Sequence, residues 1–154
     1  MPNDDLELIY LTLEDTLELY AAIIDGTTEQ AAALLRSRSA LGGALARPAT
    51  YAHYQNADLA LQAAVLAHGI AESQALLDGN KRLALVAMLT VLEANGYRVE
   101  ATDPELAGWI IDLSADLTPG RLAEAIRPRL RPLHTVGFRY SAAGRSRRQP
   151  RAVG

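Results

Sequence analysis

Asp78-Gly79-Asn80-Lys81-Arg82 places a carboxylate, a side-chain amide and two adjacent cations around a glycine. The Ala/Leu-rich run after it predicts a helix over Lys81–Ala94, so these five residues fall at a helix start. A helix start presents backbone N–H groups without intrahelical partners and a partial positive charge, which together suit phosphate. Gly79 lets the backbone approach a ligand closely. Asp78 is suited to Mg2+, Asn80 to donating a hydrogen bond to phosphate, and Lys81 and Arg82 to gripping it. The cations carry the signal. Each opposes the helix dipole at a cost of about a few tenths of a kcal/mol, which makes sense if an anion is bound. The same residues also fit a plain cap, with Asp78 as the cap and Lys81 and Arg82 turned to water or paired with Asp78 and Glu72.

Composition limits the alternatives. A chain of 154 residues, 49% apolar and 21% charged, reads as about one globular domain. The absence of cysteine excludes disulfides, thiolate metal sites and a cysteine nucleophile. His53, His68 and His134 lie outside any metal-binding spacing. No apolar run reaches the roughly 18 residues of a membrane span, and the acidic Met1–Glu7 start is unlike a signal peptide. The expectation is a soluble, cytoplasmic protein with no membrane partner. The net charge of −3 hides an asymmetry: from Arg131 onward there are six arginines and no acid, so the remainder is strongly acidic.

The elements that must position the charged segment read as helices. Thr12 with Asp15 forms a capping-box pattern ahead of Leu13, Leu17, Tyr20 and Ile24, with Gly26 as the stop. A short helix follows over Thr28–Arg36, then a Gly-interrupted piece near Leu41–Ala46. Arg47–Gln55 reads as a loop, and Asn56 as the cap of an apolar helix from Ala57 to about Ser73. After a break at Gln74–Gly79, the Lys81–Ala94 helix is apolar almost all round, is expected at the centre, and stops at Asn95-Gly96. Tyr97–Glu100 reads as extended. Asp103-Pro104 launches Glu105–Ala115 with Trp109 inward, and Thr118-Pro119 launches a last helix to about Leu130. The expected fold is an all-α bundle of six or seven helices around a central buried helix. It forms one domain over 1–132, followed by a basic tail over 133–154 too poor in apolar residues to fold alone.

Asp78-Gly79-Asn80-Lys81-Arg82, followed by an Ala/Leu-rich helix ending in Asn95-Gly96-Tyr97, resembles the Fic/Doc family. Within it the match is to the death-on-curing (Doc) branch, whose loop reads His-x-Phe-x-Asp-(Gly/Ala)-Asn-Lys-Arg. Leu41–Pro48 is similar to the segment before the family's flap, and Asp103–Leu106 to the start of its next helix, so the resemblance spans Leu8 to Leu130. It implies a helical Fic fold with a short flap that transfers a phosphate-containing group from a nucleotide to a protein hydroxyl. Most Fic members transfer AMP; in Doc, with Lys after the Asn, the nucleotide is inverted and the γ-phosphate moves. The implied cofactors are ATP or another nucleotide, with Mg2+. By the same resemblance Asp78 holds Mg2+, Gly79 and Asn80 form the phosphate nest, and Lys81 and Arg82 grip phosphates. Thr50, Tyr51, His53 and Tyr54 fall in the flap, which holds the target peptide as an added strand; the same segment also fits an ordinary surface loop. The implied partners are a Phd-like antitoxin and a protein target such as elongation factor Tu. Nucleic acid is expected only through the tail, which equally fits a solvated end or a contact with the acidic body. No internal inhibitory helix motif is found.

One departure bears on mechanism. Where the Doc loop has its histidine this chain has Gln74, and where it has phenylalanine this chain has Leu76. Leu76 can still anchor the loop in the core. Gln74 can accept a hydrogen bond but cannot store the proton of an attacking hydroxyl, and losing a general base typically costs about 10²–10⁴ in rate. Three readings follow: a pseudoenzyme that still binds a phosphorylated ligand or partner, chemistry with another base or with a substrate needing none, and a glutamine introduced to trap a complex or relieve toxicity. His68 lies about 9 Å back along its helix and reads as a packed core or helix-surface histidine. His53, with Tyr51 and Tyr54, falls where a flap residue can approach the target site as a base, and equally fits an inert exposed loop residue. Glu72 reads as solvated or near Mg2+, and His134 has no assigned role.

Overall fold

The computed structural model describes residues 8–113 and 117–133. The acidic start, the end of the Glu105–Ala115 helix, His134 and the basic tail lie outside them. The elements are α1 (Leu13–Ile24), α2 (Thr28–Ala33), α3 (Arg38–Gln55), α4 (Leu59–Ser73), α5 (Asn80–Ala94), β1 (Tyr97–Val99), α6 (Asp103–Leu113), α7 (Pro119–Ile126), a 3-10 turn (Arg127–Arg129) and β2 (Leu130–Pro132). The fold is all-α, with one small sheet in which β1 pairs antiparallel with β2, Arg98 opposite Arg131.

Local chemistry starts and stops most of these helices. Thr12 and Asp15 form the expected reciprocal box on α1, and Thr27 with Gln30 repeats it on α2. α1 turns off at Asp25, in the left-handed region, one residue before the glycine expected there. Thr118 caps α7 with Pro119 behind it, as expected. On α6 the box is Thr102 with Glu105, whose side chain accepts from the Thr102 N–H at 2.9 Å, so Asp103 is already inside the helix.

The centre is shared by α4 and α5. α4 packs against α3, α5 and α7. Its alanines and Gly69 allow this closeness: a Cβ on Gly69 would lie 3.2 Å from the Ala44 methyl carbon on α3. Gln62, buried within α4, is satisfied by the Tyr10 hydroxyl at 2.7 Å and the Ala57 carbonyl at 2.8 Å. α5 buries Leu83, Ala84, Ala87, Met88, Val91 and Leu92, while Leu85, Val86 and Leu89 on its other side are half-buried.

The 47–55 segment corrects the sequence reading. It is not a loop: α3 continues through Pro48 to Gln55. A proline in a helix forfeits one backbone bond, here to the Ala44 carbonyl, and crowds it. Pro48 is buried and α3 packs along α4, so tertiary contact outweighs the local penalty. Asn56, expected to open the next helix, instead ends α3 in the left-handed conformation (φ 55°), its N–H donating to the Tyr51 carbonyl. Asp58 caps α4, accepting from the Leu61 N–H at 3.0 Å while holding Arg127 through two further bonds. Among the described residues, no helix is long and apolar enough to cross a membrane.

Candidate functional site: the α4–α5 junction

α4 ends at Gln74, a non-glycine residue at φ 52° with an exposed side chain. The chain then crosses to α5 along a braced path. Leu35 and Leu76 form an antiparallel bridge, the Leu77 N–H donates to the Leu34 carbonyl at 3.1 Å, and the Ala75 carbonyl accepts from the Arg36 and Ser37 N–H groups. The Leu76 side chain is 1% exposed and anchors the loop in the core, as expected.

Two further bonds shape the end of the loop. Asn80 accepts at Oδ1 from the Leu76 N–H at 3.0 Å and donates from Nδ2 to the Leu76 carbonyl at 3.1 Å. Asn80, expected to reach for phosphate, therefore spends its amide closing a turn over residues 76–80. The reason is geometric: its own loop offers both an acceptor and a donor four residues back. Tyr20, on α1, donates its hydroxyl to the Asp78 carbonyl at 2.6 Å. Burial raises the Tyr20 pKa, and the Asp78 carboxylate adds to this while Arg82 opposes it, so at neutral pH the phenol is a donor.

The start of α5 is open. Gly79 stands at the cap position with φ 87° and supplies no side-chain acceptor. The first backbone bond into the helix is from Leu83 N–H to the Gly79 carbonyl at 2.9 Å, and the N–H groups of Asn80, Lys81 and Arg82 have no acceptor among the described residues. Lys81 and Arg82 are exposed and enter no ion pair among those residues. Glu72, one possible partner, instead sits 3.4 Å from His68 one turn back. This pairing places His68 on the helix surface and partly buried, as expected.

These features fit phosphate: unpartnered donors, a positive helix end and two cations converge on one turn. They fit Mg2+ only together with phosphate. Among the described residues no three His, Cys, Asp or Glu side chains form a metal cluster. Asp78 is exposed and belongs to no such cluster among those residues. Mg2+ is commonly held by one or two carboxylates together with phosphate oxygens and water, an arrangement Asp78 can serve.

The remaining candidates lie apart from this junction. Thr50, Tyr51, His53 and Tyr54 occupy the last turns of α3. An added strand needs free backbone groups, and helical pairing uses them, so the strand-like flap read from the sequence is not the form this segment takes. Tyr54 is 77% exposed and its ring meets His53 edge-on at 4.5 Å. No hydrogen bond, ion pair or ring contact among the described residues joins these side chains to residues 74–82. A concavity of about 470 Å³ against Ile24, Gln30 and Leu34, and another of about 270 Å³ beside Val86 and Tyr97, also do not include the junction. Tyr20 is the residue contacting this junction that sequence reasoning missed. Helical spacing marked it as core, and nothing local signals a bond to a carbonyl 58 residues away.

A family model described as Fic/DOC family matches residues 10–92, from just ahead of α1 to near the end of α5. A comparison with curated proteins gives no match. Fic family proteins typically bind nucleotide, in keeping with an open helix start flanked by cations. Because the matched span covers more than half of the chain and contains the whole α4–α5 junction, this chain belongs to the Fic/DOC family and carries its transferase-type scaffold.

Proposed function

We propose that this chain is a Doc-like member of the family that binds the phosphates of ATP or another nucleotide at the start of α5. The observation that carries this reading is the uncapped α5 N-terminus with Lys81 and Arg82 both exposed and unpaired among the described residues. Gly79 and the backbone of Asn80, Lys81 and Arg82 contact phosphate, the two cations neutralise it, and Asp78 shares a Mg2+ ion with it. When bound, the nucleotide supplies the phosphoryl or nucleotidyl group that moves to a protein hydroxyl. Lys81, directly after Asn80, favours the phosphoryl-transferring Doc branch.

Gln74 stands at the position of the branch's histidine and sets the rate. A neutral amide orients a hydroxyl but takes no proton from it, so transfer on this scaffold is slow. That same observation favours a second reading, in which the chain is a non-catalytic binder of a nucleotide, a phosphorylated ligand or a partner protein. The Doc reading also proposes a Phd-like antitoxin as partner and elongation factor Tu as one target.

The test is calorimetric titration with ATP and Mg2+, followed by transfer assays with radiolabelled ATP on elongation factor Tu using wild-type and Gln74→His protein. Binding by both proteins is expected. The histidine variant should transfer at least about tenfold faster, the low side of what a general base contributes. No binding refutes the nucleotide reading. Binding without any gain from the histidine refutes the transferase and leaves the binder.

A further inference from the structure

Gly79 can hold its preceding peptide in either of two opposite orientations at little cost, because it lacks a Cβ. In one orientation the Asp78 carbonyl faces outward, where it would repel an anion; in the other the Gly79 N–H does. Glycine alone does not choose between them. The structure contains a group that does. Tyr20 is 2% exposed and donates its hydroxyl to the Asp78 carbonyl at 2.6 Å, drawing that oxygen toward α1. No peptide bond in the described chain is cis, so the C=O and N–H of one planar unit point in opposite directions. The Gly79 N–H is thus turned away from Tyr20, and no described residue accepts from it.

The neighbouring geometry agrees. Gly79 is left-handed at φ 87° and is followed by right-handed residues of α5. Successive N–H groups across such a change of hand line an anion-binding concavity. A Cβ on Gly79 would stand 3.4 Å from Cε1 of Tyr20, so the same ring lies beside the glycine.

We propose that Tyr20 is a positioning residue: its hydroxyl fixes the Asp78–Gly79 peptide so that the Gly79 N–H joins those of Asn80, Lys81 and Arg82 as a donor to phosphate. This rests on the phosphate-binding reading above.

Tyr20→Phe keeps the ring and removes only the hydroxyl. Affinity for ATP with Mg2+ and for inorganic tripolyphosphate is measured by calorimetry, and backbone amides are followed by 15N NMR. The variant is expected to lose about tenfold or more in affinity for both ligands, in line with a lost hydrogen bond to a charged group. The Gly79 amide should also lose its ligand-induced shift while that of Lys81 keeps it. A role confined to stability would not separate these two amides. Wild-type binding with unchanged affinity and an unchanged Gly79 shift in the variant overturns the inference and leaves the phosphate site standing. No binding by wild-type protein removes both. Hydrogen exchange on the wild-type protein provides a check that does not depend on the variant's folding. The Gly79 amide should exchange freely alone and become protected by tripolyphosphate; protection in the ligand-free protein overturns the proposal.

Discussion

Asn80→Ala separates a loop brace from a ligand contact. The side chain makes two bonds to the backbone of Leu76, at 3.0 and 3.1 Å, and the Leu76 side chain is 1% exposed. Each bond contributes about 1 kcal/mol net, and a backbone group left without a partner in a part-buried place costs about 1–3 kcal/mol. Because Asn80 itself is half-buried, water reaches the vacated space and holds the total to about 2–3 kcal/mol. With a urea m-value of about 2 kcal/mol/M, the unfolding midpoint should fall by about 1–1.5 M. The melting temperature should fall by about 5–10 °C. Equilibrium urea unfolding followed by circular dichroism gives the first number, and calorimetric titration with ATP and Mg2+ on the still-folded variant gives its affinity. A stability change below about 0.5 kcal/mol together with a large loss of affinity would refute the brace. It would return Asn80 to direct phosphate contact, as its position in the sequence suggests.

Three other outcomes follow from the same geometry. Lys81→Ala with Arg82→Ala should abolish nucleotide binding while leaving stability unchanged or raising it by about a few tenths of a kcal/mol, since two cations leave a positive helix end; unchanged affinity in a titration would discredit the site. Gln74→Gly should stabilise the fold by about 0.5–1 kcal/mol, because glycine relieves the left-handed strain at φ 52° but is itself freer when unfolded; a loss of stability in urea unfolding would show that the glutamine side chain holds the junction. Asp58 has its carboxyl pKa lowered, chiefly by the hydrogen bond from Arg127 and opposed by partial burial. Its contribution is therefore fully present above the ordinary carboxylate range and is lost as pH falls through the lowered value. Cap and ion pair together contribute about 1–2 kcal/mol, the pair discounted because both side chains are half exposed. Asp58→Ala should cost that much at pH 7 and clearly less at pH 3, as measured by urea unfolding; equal costs at both would contradict the assignment.

Signals confined to about four residues were legible. The Thr12–Asp15 box, Thr118-Pro119 and the glycine at the start of α5 each act within one turn, so their residue types are enough to read them. Leu76 was legible as an anchor only through the resemblance, because it stands where the Doc loop has phenylalanine; local pattern does not single it out, since the adjacent Leu77 is 60% exposed. The 47–55 segment was not. Its proline, aromatics and flanking polar residues argue for a loop, and only the length of α4 available to pack against makes it helix.

At the site the division is similar. The order of residues alone determined that a carboxylate, a glycine and two cations stand at a helix start, and that the side chain preceding them by one loop is an amide without basicity. Charge and proton affinity are properties of single side chains and survive any fold. Which groups are free was decided only in three dimensions. Asn80 turned its amide back to Leu76, and Glu72 lies beside His68. Tyr20, 58 residues away, drew the Asp78 carbonyl inward and so turned the adjoining N–H outward. A hydrogen bond is made with whichever partner the fold brings within about 3 Å, and no local pattern encodes that distance.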